Sequence, residues 1–181
     1  MKEATLPRRA APRDRDAILC VVGHARAAIR ALGLDQWQDG YPEPEVIDAD
    51  IAAGIGRVFE ADGQIAAYMA LTDAPEPVYA HIDGAWLSAG PYLTIHRMCI
   101  DDGHRGSGLS ARMLDFAERT ARSLGLAAVR ADTHRGNIVM RKLLEGHGFL
   151  RCGTVVYEVT AGDPIRVAYE KRIGGPSETY T

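Results

Sequence analysis

The chain has 181 residues, which fits one domain better than two. Hydrophobic residues make up 46% of it, enough for one sizeable core, and a formal net charge of −3 argues against a general nucleic-acid coat, which needs a basic face. Three cysteines without a C-x-x-C pair are typical of reduced thiols and argue against a disulfide framework or a zinc site.

The sequence contains no segment with the features of a targeting or membrane-spanning element. The residues after Met1 lack the apolar core of a signal peptide, and no run of about 18 apolar residues occurs in the chain. We therefore expect a cytoplasmic protein that does not associate with a membrane. Because the cysteines lack the spacing of metal ligands, we also expect no metal site.

The first half of the chain predicts an edge strand, two helices and a β-hairpin. Residues 4–9 predict the edge strand, because the proline among them cannot donate to a central ladder. The first helix is predicted from Pro12 to about Leu32, since proline suits a first turn and a glycine follows the predicted end. The second helix is predicted over residues 45–53. The hairpin surrounds Asp62-Gly63 and has these strands: Arg57–Ala61 and Gln64–Leu71.

The second half predicts a long loop followed by alternating strands and helices. Residues 72–91 carry several prolines and glycines and predict the loop. The predicted elements that follow are Tyr92–Ile100, Gly108–Leu124, Ala127–Asp132, Asn137–Gly146, Leu150–Tyr157 and Ile165–Lys171. This order, with helices early and a βαβαββ run late, predicts a mixed α/β fold. We predict a single domain over residues 1–174 and a loose C-terminal tail over 175–181.

The most informative segment is a glycine-rich loop, Asp101 to Ser110, between a predicted strand and a predicted amphipathic helix. The first turn of such a helix presents unpaired N–H groups and the positive end of the helix dipole. Gly106 and Gly108 let the backbone approach a phosphate closely, and Arg105 adds a permanent positive charge. The loop therefore predicts a diphosphate site, with a plain turn and a solvated Arg105 as the alternative.

One candidate ligand for this loop is a dinucleotide, because Gly106 to Ala111 fits the pattern G-x-G-x-x-A. Asp132, at the end of the next predicted strand, could then bind a ribose. However, a dinucleotide fold turns from its strand to the first glycine almost at once, whereas residues 101–105 intervene here. After Asp132 the chain also lacks the further βαβ units that cover a nicotinamide. We rank this interpretation second.

Two motifs favour coenzyme A as the ligand. The first is Arg105-Gly106-Ser107-Gly108-Leu109-Ser110, and the second is an Asn-led helix that ends in Gly-Phe, from Asn137 to Phe149. Together they resemble the signatures of the GNAT superfamily of N-acetyltransferases, of which the first reads Arg/Gln-x-x-Gly-x-Gly/Ala. Ser110 departs from this pattern, although it is small and its hydroxyl could itself reach a phosphate. The resemblance covers roughly residues 5–173.

The resemblance implies a GNAT fold, with a central mixed, mostly antiparallel, splayed β-sheet flanked by helices. It implies acetyl-CoA as co-substrate, bound by the loop Arg105–Ser110 and by the main chain of Met98 and Ile100 in the preceding strand. Asn137 would reach the pantetheine arm from the other side, although its position equally suits a helix N-cap. The implied reaction is acetyl transfer to a primary amine by direct attack in a ternary complex.

His96 is the predicted general base of this reaction. Some family members carry a histidine base at this position, and histidine titrates near neutral pH. Strand alternation would place His96 on the same face as Thr94, Met98 and Ile100. A core histidine bound to a backbone partner is the alternative. Because Cys99 is expected to face away from His96, we predict no acyl-cysteine intermediate.

The sequence departs from the family at the position of a tyrosine that often protonates the departing thiolate. Leu144 stands there. General acid help is typically worth about 10²–10⁴ in rate, so its loss slows such an enzyme without abolishing the reaction. Water, Tyr157 or another tyrosine could substitute. The departure also leaves open a second function, a non-catalytic acyl-CoA-binding module.

The acceptor is not identified by the sequence. Trp37 and Tyr41 could wall an acceptor pocket, or they could pack their loop onto the core. Thr94 and His134 are further candidates for contact with the acceptor. We expect an amine-bearing partner of unknown identity and no nucleic acid, and the protein could be a monomer or a homodimer.

Overall fold

The computed structural model describes residues 7–159 and 162–174. Within them the chain forms a mixed α/β fold, as predicted, with four α-helices and eight strands. The helices are α1 (Arg15–Ala31), α2 (Pro44–Ala52), α3 (Leu109–Ser123) and α4 (Ile138–Gly146). The strands are β1 (Arg8–Arg9), β2 (Gly56–Ala61), β3 (Gln64–Thr72), β4 (Asp83–Gly84), β5 (Tyr92–Ile100), β6 (Ala128–His134), β7 (Leu150–Val156) and β8 (Ile165–Arg172).

The described residues divide into two compact units. The first unit holds residues 7–71, 96–110 and 162–163, and the second holds 72–95, 111–159 and 164–174. The single domain over residues 1–174 stays a prediction. Residues 4–6 of the predicted edge strand and the predicted tail over 175–181 lie outside the described part of the chain.

In the first unit, β1 pairs with β2 and β2 pairs with β3, both antiparallel, and β5 follows β3 in the strand order. Asp62 and Gly63 connect β2 to β3 with φ angles of 55° and 75°, as a two-residue type I′ hairpin requires, which confirms the predicted turn. Apolar side chains of α1 and α2 pack against these strands and form the core of this unit. Its buried residues include Ile18, Val21, Val22, Ile47, Val58, Tyr68 and Cys99.

In the second unit, the strand order is β5-β6-β8-β7-β4. A parallel ladder joins β5 to β6 from Tyr92–Ala128 to Ile95–Ala131 and ends there, although β5 itself continues to Ile100. Strand β8 is antiparallel to both β6 and β7. The pair β5–β6 is parallel, whereas β1–β2, β2–β3, β4–β7, β6–β8 and β7–β8 are antiparallel. The sheet is therefore mixed and mostly antiparallel, as predicted.

The segment 72–91 differs from the loop that the sequence predicted. It contains a five-residue 3-10 helix over Pro77–His81 and the two-residue strand β4, which pairs with β7. Sequence patterns missed both elements because each is too short to show a period. The partner of β4 also lies far along the chain, so no local signal marks the pairing.

Strand β5 has the predicted bounds, but its backbone is irregular. Arg97 has a φ of 53°, in the left-handed region, and the preceding residues 93–95 are buried in succession. A left-handed residue within a strand marks a bulge, which interrupts the alternation of faces. The predicted sharing of one face by Thr94, His96, Met98 and Ile100 stays a prediction, because the left-handed Arg97 interrupts the regular alternation from which it was derived.

Candidate active site

The predicted anion-binding loop adopts an open, glycine-dependent turn. After β5, residues Asp102–His104 form one 3-10 turn, and α3 begins at Leu109. Gly106 and Gly108 have φ angles of 73° and 81°, which strain any residue with a Cβ. A Cβ built at either glycine would meet no heavy atom within 4 Å, so the space beside the turn is open. The turn can therefore accept a group at the first N–H groups of α3, which a helix leaves without internal partners.

Arg105 lies at this turn with its guanidinium engaged. Its Nη2 atom lies 2.5 Å from Oδ1 of Asp102 and donates to the backbone oxygen of His24 on α1 at 3.2 Å. The side chains of Arg105 and Asp102 are 46% and 54% exposed, so solvent and ligands can reach both. The predicted cation is thus present at the loop, paired with the carboxylate of Asp102, which no sequence pattern indicates.

Asp101 anchors the start of the loop. One oxygen of its carboxylate accepts from the backbone N–H of Gly103 at 2.9 Å, and the other lies 2.7 Å from Nδ1 of His24. Nδ1 of His104 lies 3.4 Å from the first oxygen. Burial alone would raise the pKa of Asp101, but the Gly103 amide and the two imidazoles lower it below its usual value. Asp101 therefore stays ionised and ties the loop to α1.

The remaining candidates of the first unit lie on β5 and in the loop before α2. His96, Met98 and Ile100 are all half-buried on β5. Trp37 packs against the core, as the alternative to a pocket role predicted, and its ring meets that of Tyr41 edge-on at a centroid distance of 6.2 Å. The first unit thus contains the following predicted site residues: Trp37, Tyr41, His96, Met98, Ile100, Arg105, Gly106, Ser107, Gly108, Leu109 and Ser110.

Tyr41 belongs to a buried charged network around the bulge of β5. Arg97 donates through Nη1 to the Tyr41 hydroxyl at 2.8 Å and through two other nitrogens to the Asp50 carboxylate. The Tyr68 hydroxyl also donates to Asp50, at 2.6 Å. Burial alone would lower the pKa of Arg97, but Tyr41 and Asp50 raise it above its usual value. The guanidinium is therefore permanently charged and holds Tyr41 in place.

Three predicted site residues lie in the second unit. Thr94 is fully buried, and its Oγ1 forms no hydrogen bond to any described residue. His134 is the last residue of β6, which continues two residues beyond the predicted end at Asp132, and it is only 6% exposed. Its Nδ1 accepts from the N–H of Gly136 at 3.0 Å. Asn137 caps α4, because its Oδ1 accepts from the N–H of Met140 at 3.1 Å, which confirms the N-cap interpretation.

The second unit also contains a hydrogen-bonded group of two tyrosines and an aspartate that no sequence pattern indicates. The hydroxyls of Tyr79 and Tyr157 both donate to Oδ2 of Asp132, at 2.8 and 2.9 Å. Burial, reinforced by the nearby Asp132 carboxylate, raises the pKa of Tyr79 well above its usual value. The two tyrosines lie 53 and 25 positions from Asp132, so no spacing in the sequence signals the group. A carboxylate with two phenols can hold and pass protons.

Comparison with known proteins identifies the family. The model of the acetyltransferase (GNAT) family matches residues 24–149, well over half of the chain. The chain belongs to the GNAT acetyltransferase family. It is also similar to a GNAT acetyltransferase structure from Streptococcus agalactiae, with 35% sequence identity, a TM-score of 0.82 and coverage of 95% of this chain and 98% of that one.

More distant GNAT structures share the fold. One, from Listeria monocytogenes, is 23% identical with a TM-score of 0.69, and the match covers 92% of this chain and 94% of that one. The ribosomal-protein-S18-alanine N-acetyltransferase of Escherichia coli is 15% identical with a TM-score of 0.68, and 99% of each chain is covered. No curated protein matches the sequence.

Membership of the GNAT family supports an acyltransferase activity. GNAT enzymes generally use acetyl-CoA and act on an acceptor substrate. In this GNAT protein, Leu144, which the resemblance predicts at the position of the family's frequent tyrosine, is completely buried. An apolar side chain in that setting cannot supply a proton to a departing thiolate.

Of the three cysteines of this GNAT protein, Cys99 is the buried one. Burial raises the pKa of Cys99 to about 12 and so disfavours the thiolate, which is the nucleophilic form. Its Sγ lies 3.7 Å from the backbone oxygen of Tyr68. The absence of an acyl-cysteine intermediate stays a prediction.

This GNAT protein contains a cluster of three potential metal ligands: Asp115, Glu118 and His147. Nε2 of His147 lies 3.0 Å from a carboxylate oxygen of Asp115 and 3.3 Å from one of Glu118. However, the ammonium of Lys171 lies 2.5 Å from the same Glu118 oxygen, so a cation of the chain already balances this group.

No helix in residues 7–159 and 162–174 has the length and apolar character needed to cross a bilayer.

Proposed function

We propose that the protein is an N-acetyltransferase that transfers the acetyl group of acetyl-CoA to a primary amine by direct attack in a ternary complex. The observation that carries this proposal is the loop after β5. In a chain of the GNAT family, an open turn at Gly106 and Gly108 stands beside the guanidinium of Arg105. The same family membership favours coenzyme A over the dinucleotide alternative.

The loop residues fit the diphosphate of coenzyme A. The space that a Cβ at Gly106 or Gly108 would enter is open, so a phosphate can approach the backbone closely there. We infer that the backbone and side chains of residues 105–110 hold the diphosphate, and that the main chain of Met98 and Ile100 binds the pantetheine arm. Asn137 uses its oxygen as a helix cap, so its amide nitrogen would be the group that contacts the pantetheine.

Proton transfer and charge stabilisation would fall to residues of this chain. The coenzyme supplies a thioester, which an uncharged amine can attack. His96 would accept the proton of the attacking amine. A main-chain N–H at Met98 would stabilise negative charge on the acyl oxygen, an effect worth roughly 3–4 kcal/mol per donor in other acyl-transfer enzymes. Because Leu144 cannot donate a proton, Tyr157 is the tyrosine that we propose as its substitute.

The acceptor remains an amine of unknown identity on a small molecule, a peptide or a protein. Trp37, Tyr41, Thr94 and His134 are the residues that we propose to contact it. Tyr41 is held by Arg97, so its ring can form a fixed wall at low entropic cost. Cytoplasmic localisation and a monomeric or homodimeric state stay predictions.

A non-catalytic acyl-CoA-binding module is the second candidate function. The buried Leu144 at the position of the frequent tyrosine favours it. Turnover of acetyl-CoA across a panel of primary amines separates the two functions. Tight coenzyme binding without turnover on any amine favours the module.

Isothermal titration calorimetry with acetyl-CoA, and with NAD and NADP in parallel, tests the coenzyme site. We expect acetyl-CoA to bind and NAD and NADP not to bind. Arg105→Glu should weaken the binding of acetyl-CoA roughly tenfold or more, because the substitution reverses a charge beside the diphosphate. Gly108→Val should also weaken binding, because the new side chain fills the open turn. Unchanged affinity in both variants contradicts the proposal.

Two control variants match these changes. Arg119→Glu reverses an exposed charge farther along α3. Gly125→Val places the same side chain at a glycine with a φ of 68°, just after α3, where a Cβ also meets no heavy atom within 4 Å. Both controls should keep the affinity for acetyl-CoA, which separates loss of the site from general effects of charge or backbone strain.

A further inference from the structure

The proposed diphosphate loop carries a carboxylate where an anion has to bind. Asp102 lies three residues before Arg105 and is ion-paired to it, with 2.5 Å between Oδ1 and Nη2. The carboxylate of the preceding acid, Asp101, already interacts with the Gly103 amide and with two histidines of the protein. Asp102 differs because its carboxylate, 54% exposed, faces the guanidinium that the diphosphate requires.

The hydrogen-bond capacity of Arg105 makes this contact consequential. A guanidinium has five N–H donors, two of them on Nη2. Nη2 serves both Asp102 and the backbone oxygen of His24. A diphosphate must therefore either displace Asp102 from Nη2, or bind the remaining nitrogens with the Asp102 carboxylate alongside. The first route breaks an ion pair and the second brings like charges together, so Asp102 opposes anion binding in both.

We propose that Asp102 sets the affinity of the loop for the coenzyme's diphosphate, acting through its ion pair with Arg105. This inference rests on the proposed function. Exposed pairs of this kind have modest energies, which correspond to changes of about two- to fivefold in a dissociation constant. Asp102 thus weakens coenzyme binding by a limited factor, and it re-forms its pair with Arg105 as the spent coenzyme leaves.

The test compares the dissociation constants of coenzyme A and of inorganic pyrophosphate, measured by calorimetry, for the full-length wild type, Asp102→Asn and Asp16→Asn. Asp16 is the charge-matched control, since its side chain is 96% exposed on α1. We expect Asp102→Asn to tighten binding of both ligands about two- to fivefold, Asp102→Glu to retain the wild-type affinity, and Asp16→Asn to have little effect. A general loss of structure would weaken binding, so a gain identifies a specific role.

A double-mutant comparison tests the route through Arg105. Asp102→Asn in an Arg105→Gln background should no longer tighten binding, because the competed guanidinium is absent. If Asp102→Asn binds no more tightly than Asp16→Asn, or gains as much without Arg105, the inference is overturned while the proposed function stands. If the wild type binds neither coenzyme A nor pyrophosphate, the proposed function fails, and this inference fails with it.

Discussion

The Arg97 guanidinium and the Asp50 carboxylate form a two-point ion pair inside the first unit. Nε of Arg97 donates to one carboxylate oxygen and Nη2 to the other, both at 2.7 Å. The side chains are only 11% and 5% exposed. Arg97 is also the residue of β5 with a left-handed backbone conformation, so this ion pair holds the bulge in place. The same strand supplies the main chain that we propose to bind the pantetheine arm.

Asp50→Asn should strongly destabilise the protein. Removal of one partner leaves the Arg97 charge buried without compensation, which typically costs about 3–5 kcal/mol in the free energy of unfolding. Urea denaturation followed by circular dichroism measures this cost. The double variant Asp50→Leu/Arg97→Met should recover part of it, because neither charge remains. Asp48→Asn, which breaks an exposed pair with Arg15, is the control and should shift the midpoint little. An Asp50→Asn midpoint equal to that of the control would show that the buried pair does not stabilise the fold.

The acid stability of the protein should depend on Asp14. Its carboxylate accepts from Nη1 and Nη2 of Arg8 at 2.7 and 2.9 Å and from the N–H of Ala11 at 2.7 Å. The hydrogen bonds from Arg8, opposed by burial, hold the pKa of Asp14 below its usual value. A depressed pKa in the folded state gives stability that is present above the usual aspartate pKa of about 3.9 and is lost as the pH falls through the folded pKa.

The urea midpoint of the wild type should therefore decrease between pH 5 and pH 3. Asp14→Asn should be less stable at pH 7 by about 1–3 kcal/mol and should show a flatter pH dependence. Asp16→Asn serves as the exposed control. If the variant at position 14 keeps the full wild-type slope, other carboxylates account for the acid sensitivity.

Replacement of His96 tests the proposed general base. A base works only when it is deprotonated, so the rate should fall toward acidic pH in the wild type. His96→Gln should lower kcat by about 10²–10⁴ and flatten this acidic limb. His81→Gln, on an exposed residue of the 3-10 turn, should leave the profile intact. An acidic limb that persists in His96→Gln removes this histidine from the role of base.

Tyr157→Phe tests the proposed proton donor. We expect kcat to fall by about 10²-fold, with a smaller change in the KM for acetyl-CoA, because the variant loses a proton source and not a binding group. Tyr79→Phe is the matched comparison, since it removes the other hydroxyl from the same oxygen of Asp132. Equal losses in the two variants would mean that both hydroxyls act by orienting Asp132, and Tyr157 would not be the donor.

Local signals were sufficient to predict most elements of the fold. The hairpin at Asp62-Gly63 and the bounds of β5 follow from turn chemistry and from the pattern of apolar residues, which act over a few positions. Helix α1 ends at Ala31, one residue before the predicted Leu32, just ahead of Gly33 with its left-handed φ of 73°. Such features depend on neighbours in the chain, so a single sequence contains them.

The side-chain pairs and the strand bulge that could not be predicted depend on contacts between positions far apart in the sequence. His24 and Asp101 are 77 residues apart, and Asp50 and Arg97 are 47 apart, so neither pair has a spacing that a pattern could detect. The bulge at Arg97 has the same origin, because a non-glycine residue gives no sign that the surrounding structure holds it in a left-handed conformation. The loop Arg105–Ser110 was predicted from its glycines, whereas its pairing with Asp102 depends on side-chain geometry.

The hydrogen bond from the Gly136 amide to Nδ1 of His134 has a chemical consequence of its own. With its Nδ1 lone pair committed to the turn, the neutral ring carries its hydrogen on Nε2. Such an imidazole can donate a hydrogen bond through Nε2, while its Nδ1 lone pair is already used by the Gly136 amide. The short turn after β6 thus selects one of the two tautomers of an almost completely buried histidine.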